Sequence, residues 1–190
     1  MLQQQLLTTV VQTLATANIE YVLTGSIVSS LLGEPRSTHD IDILVVALQE
    51  ESIKKLVETF QQPNYYLDEE SIIDALKHKS MFNLIDIQSG YKVDFWILTD
   101  DAFDVSRFSR RMQKKIYDTN VFITTSEDTI IAKLRWAKLS GGSAQQLKDA
   151  TRIFEVQYRK LDIQYLELWI TTLELHNEWN HLLKSAKPIT

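Results

Sequence analysis

The stretch 40–47, Asp-Ile-Asp-Ile-Leu-Val-Val-Ala, limits what this chain can fold into more than any other segment. Its run of β-branched residues reads as a strand. Side chains alternate along a strand, so Asp40 and Asp42 leave one face while Ile41, Ile43 and Val45 leave the other, toward a core. The strand is therefore apolar on one side and doubly acidic at the start of the opposite side. At ~3.3 Å per residue the two acidic Cβ atoms lie roughly 6–7 Å apart, within reach of shared cations. Two carboxylates this close repel, and a divalent cation relieves that cost. Hard oxygen donors favour Mg²⁺ or Mn²⁺ over zinc. Taken alone, the pair also fits two solvated acids at a strand end.

The segments around this strand alternate between strand and helix patterns. Leu2, Leu6, Val10, Leu14 and Ala17 recur at helical spacing, with Asn18 as the stop. A strand over Ile19–Thr24, the pair Gly25-Ser26, and a short apolar helix from Ile27 to Leu32 follow, broken by Gly33-Glu34-Pro35. Helical faces recur around Lys54–Phe60 and Glu69–Lys77. Residues 81–98 read as a hairpin around Gln-Ser-Gly. A helix is expected over Ala102–Met112, then a short β-pair of Ile116-Tyr117 with Val121–Ile123 around Asp118–Asn120.

From Ser126 on the pattern is helical throughout. Ser126 is expected to cap a helix whose first turn carries Glu127 and Asp128. Gly141-Gly142 ends it, and Ser143 with Gln146 has the form of a capping box. The next helix would bury Leu147, Ala150, Phe154 and Leu161. A further helix, capped by Asp162, carries Leu166, Trp169, Ile170 and Leu173. The expected organisation is an α/β part over 1–125 and a helical part over 126–190 packed on it.

Composition narrows the class. The 190 residues contain no cysteine, which excludes disulfides, thiolate metal sites and thiol nucleophiles. No run approaches the ~18 apolar residues of a membrane span, and MLQQQLL lacks a secretory pattern, so a cytoplasmic protein without membrane partners is expected. The net charge is −5, yet residues 107–160 hold 12 Lys/Arg against 5 Asp/Glu. That basic stretch, with its cluster RFSRRMQKK at 107–115, is either a solvated face or one that receives phosphates. Trp96, Trp136, Trp169 and Trp179 read as core. The four histidines show no metal-ligand spacing.

Two further features bear on chemistry. Gly25-Ser26 stands between a strand and a helix. It is either a plain turn with Ser as cap, or an anion site formed by helix N–H groups and the Ser26 hydroxyl. Asp94 interrupts the strand YKVDFWIL, where an acid must face solvent or a polar site. If that strand neighbours Asp40-Ile41-Asp42, three carboxylates converge.

Gly25-Ser26, Asp40-Ile41-Asp42 and the isolated Asp94 together resemble the nucleotidyltransferase superfamily that includes DNA polymerase beta. The resemblance spans residues 20–98. It implies a mixed β-sheet flanked by helices and transfer of a nucleoside monophosphate from a nucleoside triphosphate to an acceptor hydroxyl. It also implies two Mg²⁺ (or Mn²⁺) ions on Asp40, Asp42 and Asp94, with Asp94 assisting deprotonation of the acceptor. Gly25 and Ser26 would hold phosphates. Ile130-Ile131-Ala132-Lys133-Leu134 and Lys148-Asp149 further resemble motifs of abortive-infection (AbiEii-like) nucleotidyltransferases. That resemblance implies Lys133 on the triphosphate, with Asp149 holding the lysine or the base. Arg152 departs from the pattern, standing where such sequences often carry a second acid. Lys133 is equally readable as a solvated helix lysine.

Arg36 and Thr38, just before Asp40, are candidates for nucleotide binding. Arg36 either clamps a phosphate or braces Glu34 or Asp40. Three functions follow from these readings: a transferase acting on RNA, a protein or a small molecule such as an aminoglycoside; a nucleotide-binding module without catalysis; or a toxin–antitoxin component that binds a cognate antitoxin or other partner protein.

Overall fold

The computed structural model describes residues 2–187; the last three residues of the expected helical part, 188–190, lie outside them. The chain divides into two compact units, residues 1–26 with 38–123, and residues 27–37 with 124–190.

The first unit is built on a mixed seven-stranded sheet in the order β3-β4-β5-β2-β1-β7-β6. The strands are β1 (Tyr21–Thr24), β2 (Asp40–Val45), β3 (Tyr65–Tyr66), β4 (Met81–Asp86), β5 (Lys92–Ile97), β6 (Met112–Ile116) and β7 (Thr119–Ile123). Strands β2 and β5 run parallel in the middle, as do β1 and β7, and the remaining pairs are antiparallel. A mixed sheet is the expected class. The helices of this unit are α1 (Gln3–Thr16), α3 (Glu50–Thr59), α4 (Glu69–His78) and α5 (Ala102–Ser109). Helix α1 buries Leu6, Leu7, Val10, Val11 and Leu14, and Asn18 ends it at φ 53°, a conformation Asn tolerates better than most residues.

Alternation sorts the sheet faces. Ile41, Ile43, Phe95 and Leu84 lie on one side and are at most 1% exposed, and Phe82 stacks on Phe95 with centroids 4.8 Å apart. On the other side Val22, Leu44 and Trp96 share a row, covered by Phe108 of α5. Two residues away, earlier on β2 and β5 and later on the antiparallel β1, the same face carries Asp42, Asp94 and Thr24. One end of this face is thus filled by apolar packing and the other left to polar side chains.

Several boundaries differ from the sequence reading. Helix α5 stops at Ser109, and Met112 already belongs to β6. Strands β6 and β7 close directly around Tyr117-Asp118, with Tyr117 at φ 53°. Tyrosine seldom adopts that conformation, so the sequence places the turn later, at Asp118–Asn120. The basic cluster at 107–115 is therefore split between a helix and an edge strand. Within it Arg107 pairs with Asp104 at 2.9 Å, and Arg111 pairs with Glu20 and lies over the Phe108 ring, 4.3 Å from its centroid. Strand β3 has only two residues and left no periodic trace.

In the second unit, α6 (Ser126–Leu139) and α7 (Ala144–Gln157) are followed by a 3-10 turn (Tyr158–Lys160), α8 (Ile163–Thr172) and α9 (His176–Ser185). The segment 27–37 joins them because it lies tightly against α7. A Cβ on Gly33 would sit 2.9 Å from the Ile153 backbone nitrogen, and the Gln157 side chain donates to the Leu32 carbonyl. Helix α6 is capped by Thr125 rather than Ser126; the Thr125 Oγ1 accepts from the Asp128 N–H and donates to its carboxylate at 2.6 Å. Ser143 makes no side-chain cap bond. Leu161 falls beyond the end of α7. Trp169 is buried, but Trp136 is 47% exposed and is not a core residue.

The Asp128 carboxylate is wholly buried and also accepts from the Tyr165 hydroxyl at 2.6 Å. Tyr165→Phe is expected to cost about 1–3 kcal/mol, because it leaves a buried carboxyl oxygen short of a donor. Urea denaturation monitored by circular dichroism would measure it; a loss under half a kcal/mol would show that water replaces the hydroxyl.

Candidate functional site

Strand pairing assembles the first cluster. Asp42 lies directly opposite Asp94 on the parallel neighbour β5, and Asp40 opposite Lys92. Asp42 also faces Thr24 on β1, and Asp94 faces Asn83 on β4. Four strands therefore contribute one row on a single face: Thr24, Asp42, Asp94 and Asn83. The condition set by the sequence, that the strands of Asp40-Ile41-Asp42 and Asp94 be neighbours, is met by this register.

Asp94 is 7% exposed. Its carboxylate accepts from the Asn83 amide and pairs with the Lys92 ammonium at 2.9 Å. The same ammonium lies 3.8 Å from Asp40, whose side chain is half exposed. The hydrogen bond to Asp94 raises the affinity of Lys92 for its proton, and the charges of Asp94, Asp40 and Asp42 add to it against partial desolvation.

Thr38 braces the entry to β2. Its hydroxyl bonds the Asp40 backbone, and its carbonyl accepts from Gln3 of α1 at 2.9 Å. Neither Lys92 nor Asn83 stood out in the sequence. The alternation that places Asp94 also places Lys92 on its face, and the hairpin register around Gln-Ser-Gly finds Asn83.

The helix α2 (Gly25–Leu32) begins at Gly25 itself. Gly25 has φ 67°, and a Cβ there would lie 2.0 Å from the Asp42 Oδ2. Glycine is thus required twice, by the left-handed backbone and by the Asp42 carboxylate lying against it. Gly25→Ala is expected to cost about 1–2 kcal/mol from the backbone alone, and to push the Asp42 carboxylate aside. Thermal denaturation together with turnover would test this; an alanine variant matching wild type in both would show that Asp42 moves freely.

A second cluster lies within the second unit. Asp149 of α7 takes Arg36 through two bonds, from Nε at 3.1 Å and from Nη2 at 3.0 Å. It also takes Lys133 of α6 at 2.9 Å and the Gln145 amide at 2.7 Å. The side chains of Lys133 and Asp149 are 6% and 5% exposed, so Lys133 is a buried partner of Asp149 and not a solvated lysine. The carboxylate that engages Arg36 is Asp149, while Glu34 engages Arg152 at 3.0 Å. Burial alone would raise the Asp149 proton affinity, but the Arg36 bonds, the Lys133 charge and the Gln145 bond together hold it below the usual range. A small cavity of about 130 Å³ opens beside this cluster, lined by Ser29, Arg36, Gln145 and Lys148 among others.

A family model describing aminoglycoside-2''-adenylyltransferase matches residues 6–91, the part of the chain that carries Gly25-Ser26 and Asp40-Ile41-Asp42. Among solved structures, the crystal structure of ANT(2'')-Ia in complex with adenylyl-2''-tobramycin superposes with a TM-score of 0.59 at 12% identity, covering 92% of this chain and 98% of that one. The solution structure of the antibiotic-resistance factor ANT(2'')-Ia gives 0.56 at 13% identity, covering 94% and 95%. The chain has the nucleotidyltransferase superfamily fold. No curated protein matches it significantly.

Within that nucleotidyltransferase fold, the first cluster offers oxygen donors to a divalent ion. Its donors are hard carboxylate oxygens, two of them in register, and a positive charge already bridges Asp94 and Asp40 in the form of Lys92. That donor set suits Mg²⁺ or Mn²⁺. Among the described residues, no three His, Asp or Glu side chains are arranged to hold a metal as they stand. Also among the described residues, no helix is long and apolar enough to cross a membrane.

Proposed function

We propose that this chain is a metal-dependent nucleotidyltransferase that moves a nucleoside monophosphate from a nucleoside triphosphate to a hydroxyl of a small cationic acceptor of the aminoglycoside kind. The observation that carries the reading is the register of Asp42 with Asp94, with Gly25 lying against the Asp42 carboxylate. The family match over residues 6–91 supports the acceptor class. So does charge: the first unit has ten Lys/Arg against sixteen Asp/Glu, a field that attracts polycations and disfavours nucleic-acid backbones.

In this reading Asp40, Asp42 and Asp94 hold the divalent ions. When bound, such ions neutralise charge on the entering and leaving oxygens of an in-line displacement. The acceptor oxygen forms a bond to the α-phosphorus, the bond to the pyrophosphate oxygen breaks, and the hydroxyl proton passes to Asp94. Asn83 fixes the orientation of that carboxylate. Gly25 and Ser26, at the start of α2, receive phosphate oxygens. Thr38 holds the strand entry that presents Asp40. In the second unit Lys133 is the nucleotide-binding candidate, held in place by Asp149, which Arg36 also engages.

The test is pyrophosphate release from each nucleoside triphosphate with Mg²⁺ and a panel of aminoglycosides, followed by mass spectrometry of the acceptor. The expected product is an acceptor heavier by one nucleoside monophosphate. Nucleotide-dependent thermal stabilisation without adduct on any acceptor would replace transfer by nucleotide sensing.

A further inference from the structure

The row of acids contains one group that the proposed transfer does not use, the Lys92 ammonium. It projects from β5 on the same face as Asp94, two residues before it, and lies opposite Asp40 on β2. It pairs with Asp94 at 2.9 Å and approaches Asp40 at 3.8 Å. Three carboxylates gathered at one sheet end repel one another, and Asp94 is nearly buried, so a metal-free site needs a positive charge to remain assembled. Lys92 supplies that charge from within the chain. Its side chain is 34% exposed on a flexible stem, so it can swing to solvent without disturbing the strand. An ammonium and a divalent ion cannot both take the same carboxylate oxygens at contact distance.

We propose that Lys92 is a resident counter-ion of the acidic site, holding Asp94 and Asp40 together without metal and yielding them when a divalent cation enters. The inference rests on the reading of Asp40, Asp42 and Asp94 as metal ligands. It makes Lys92 a positioning residue that sets metal affinity and keeps the empty site preassembled.

The decisive measurement is Mn²⁺ binding to the full chain, followed by the electron paramagnetic resonance of free Mn²⁺, for wild type, Lys92→Met, Lys92→Arg and Asp94→Asn. Removing one competing charge a few ångströms from the ion is expected to tighten Mn²⁺ binding about tenfold in Lys92→Met, the effect of a single charge in a high effective dielectric. Lys92→Arg, which keeps the charge, should stay near wild type, and Asp94→Asn should bind far more weakly. Without metal, Lys92→Met should melt below wild type, and saturating Mn²⁺ should restore more stability to it than to wild type.

Tightening is diagnostic, because a merely damaged site binds metal less well. Unchanged or weaker binding in Lys92→Met, with Asp94→Asn still impaired, would overturn the counter-ion role and leave the metal reading standing. No Mn²⁺ binding by wild type or by Lys92→Met would overturn both.

Discussion

Asp149→Ala is expected to destabilise the protein by about 3–5 kcal/mol, the cost of leaving a buried ion without its partner. The reason lies in who depends on Asp149. Arg36 is about a third exposed and can turn to water, but Lys133 is 6% exposed and cannot. With the carboxylate gone, the buried Lys133 side chain loses its ion-pair partner, and α6 and α7 must part for water to reach it. Urea denaturation would measure the loss. The paired replacement Lys133→Met with Asp149→Leu should recover most of it, because removing both charges removes the penalty. If the single variant lost under 1 kcal/mol, water would be solvating Lys133, and the cluster would be an ordinary surface bridge.

The same carboxylate predicts a pH dependence. Its proton affinity is lowered in the folded state, so its contribution is complete above the ordinary carboxylate value near pH ~4. It is lost as pH falls through the lower native value. Wild type should therefore lose this increment only in strong acid, and the acid limb of the paired variant should be flatter.

Asp42→Asn is expected to lower the rate of nucleotidyl transfer by about 10²-fold or more, which corresponds to a few kcal/mol of lost transition-state stabilisation. The amide is nearly isosteric and faces Thr24 and Asp94 in the same register, so the fold should survive. What changes is charge: an amide offers one weak oxygen where a carboxylate offers two charged ones. Steady-state pyrophosphate release, alongside circular dichroism of the same samples, separates chemistry from folding. Turnover within a few-fold of wild type would remove Asp42 from the metal site and with it the proposed mechanism. The loss should exceed that of Gly25→Ala, which displaces the same carboxylate without neutralising it.

Local chemistry made much of this protein legible. Strand alternation placed Asp40 and Asp42 on one face and Ile41 and Ile43 on the other, because that period is a property of the backbone. Asn18 and Gly25 marked element boundaries because few residues adopt a left-handed backbone. The pattern of strands and helices indicated an α/β part followed by a helical one, and the resemblance to the nucleotidyltransferase superfamily implied the mixed sheet. The meeting of Asp42 with Asp94 was different. It depends on β2 and β5 lying side by side, 52 residues apart in sequence, and no local preference encodes that pairing.

The same limit hid Lys92 and Asn83, whose importance comes only from what stands opposite them. It also hid Arg36 as a partner of Asp149, 113 residues away. Short capping signals misled because Thr125 and Ser126 are chemically alike and either hydroxyl can cap a helix. Sequence alone determined which residues can carry charge, bend the backbone or enter a core. Tertiary structure decided which of those charges face one another, because pairing energy between distant segments is gained only once the sheet and the helices have closed.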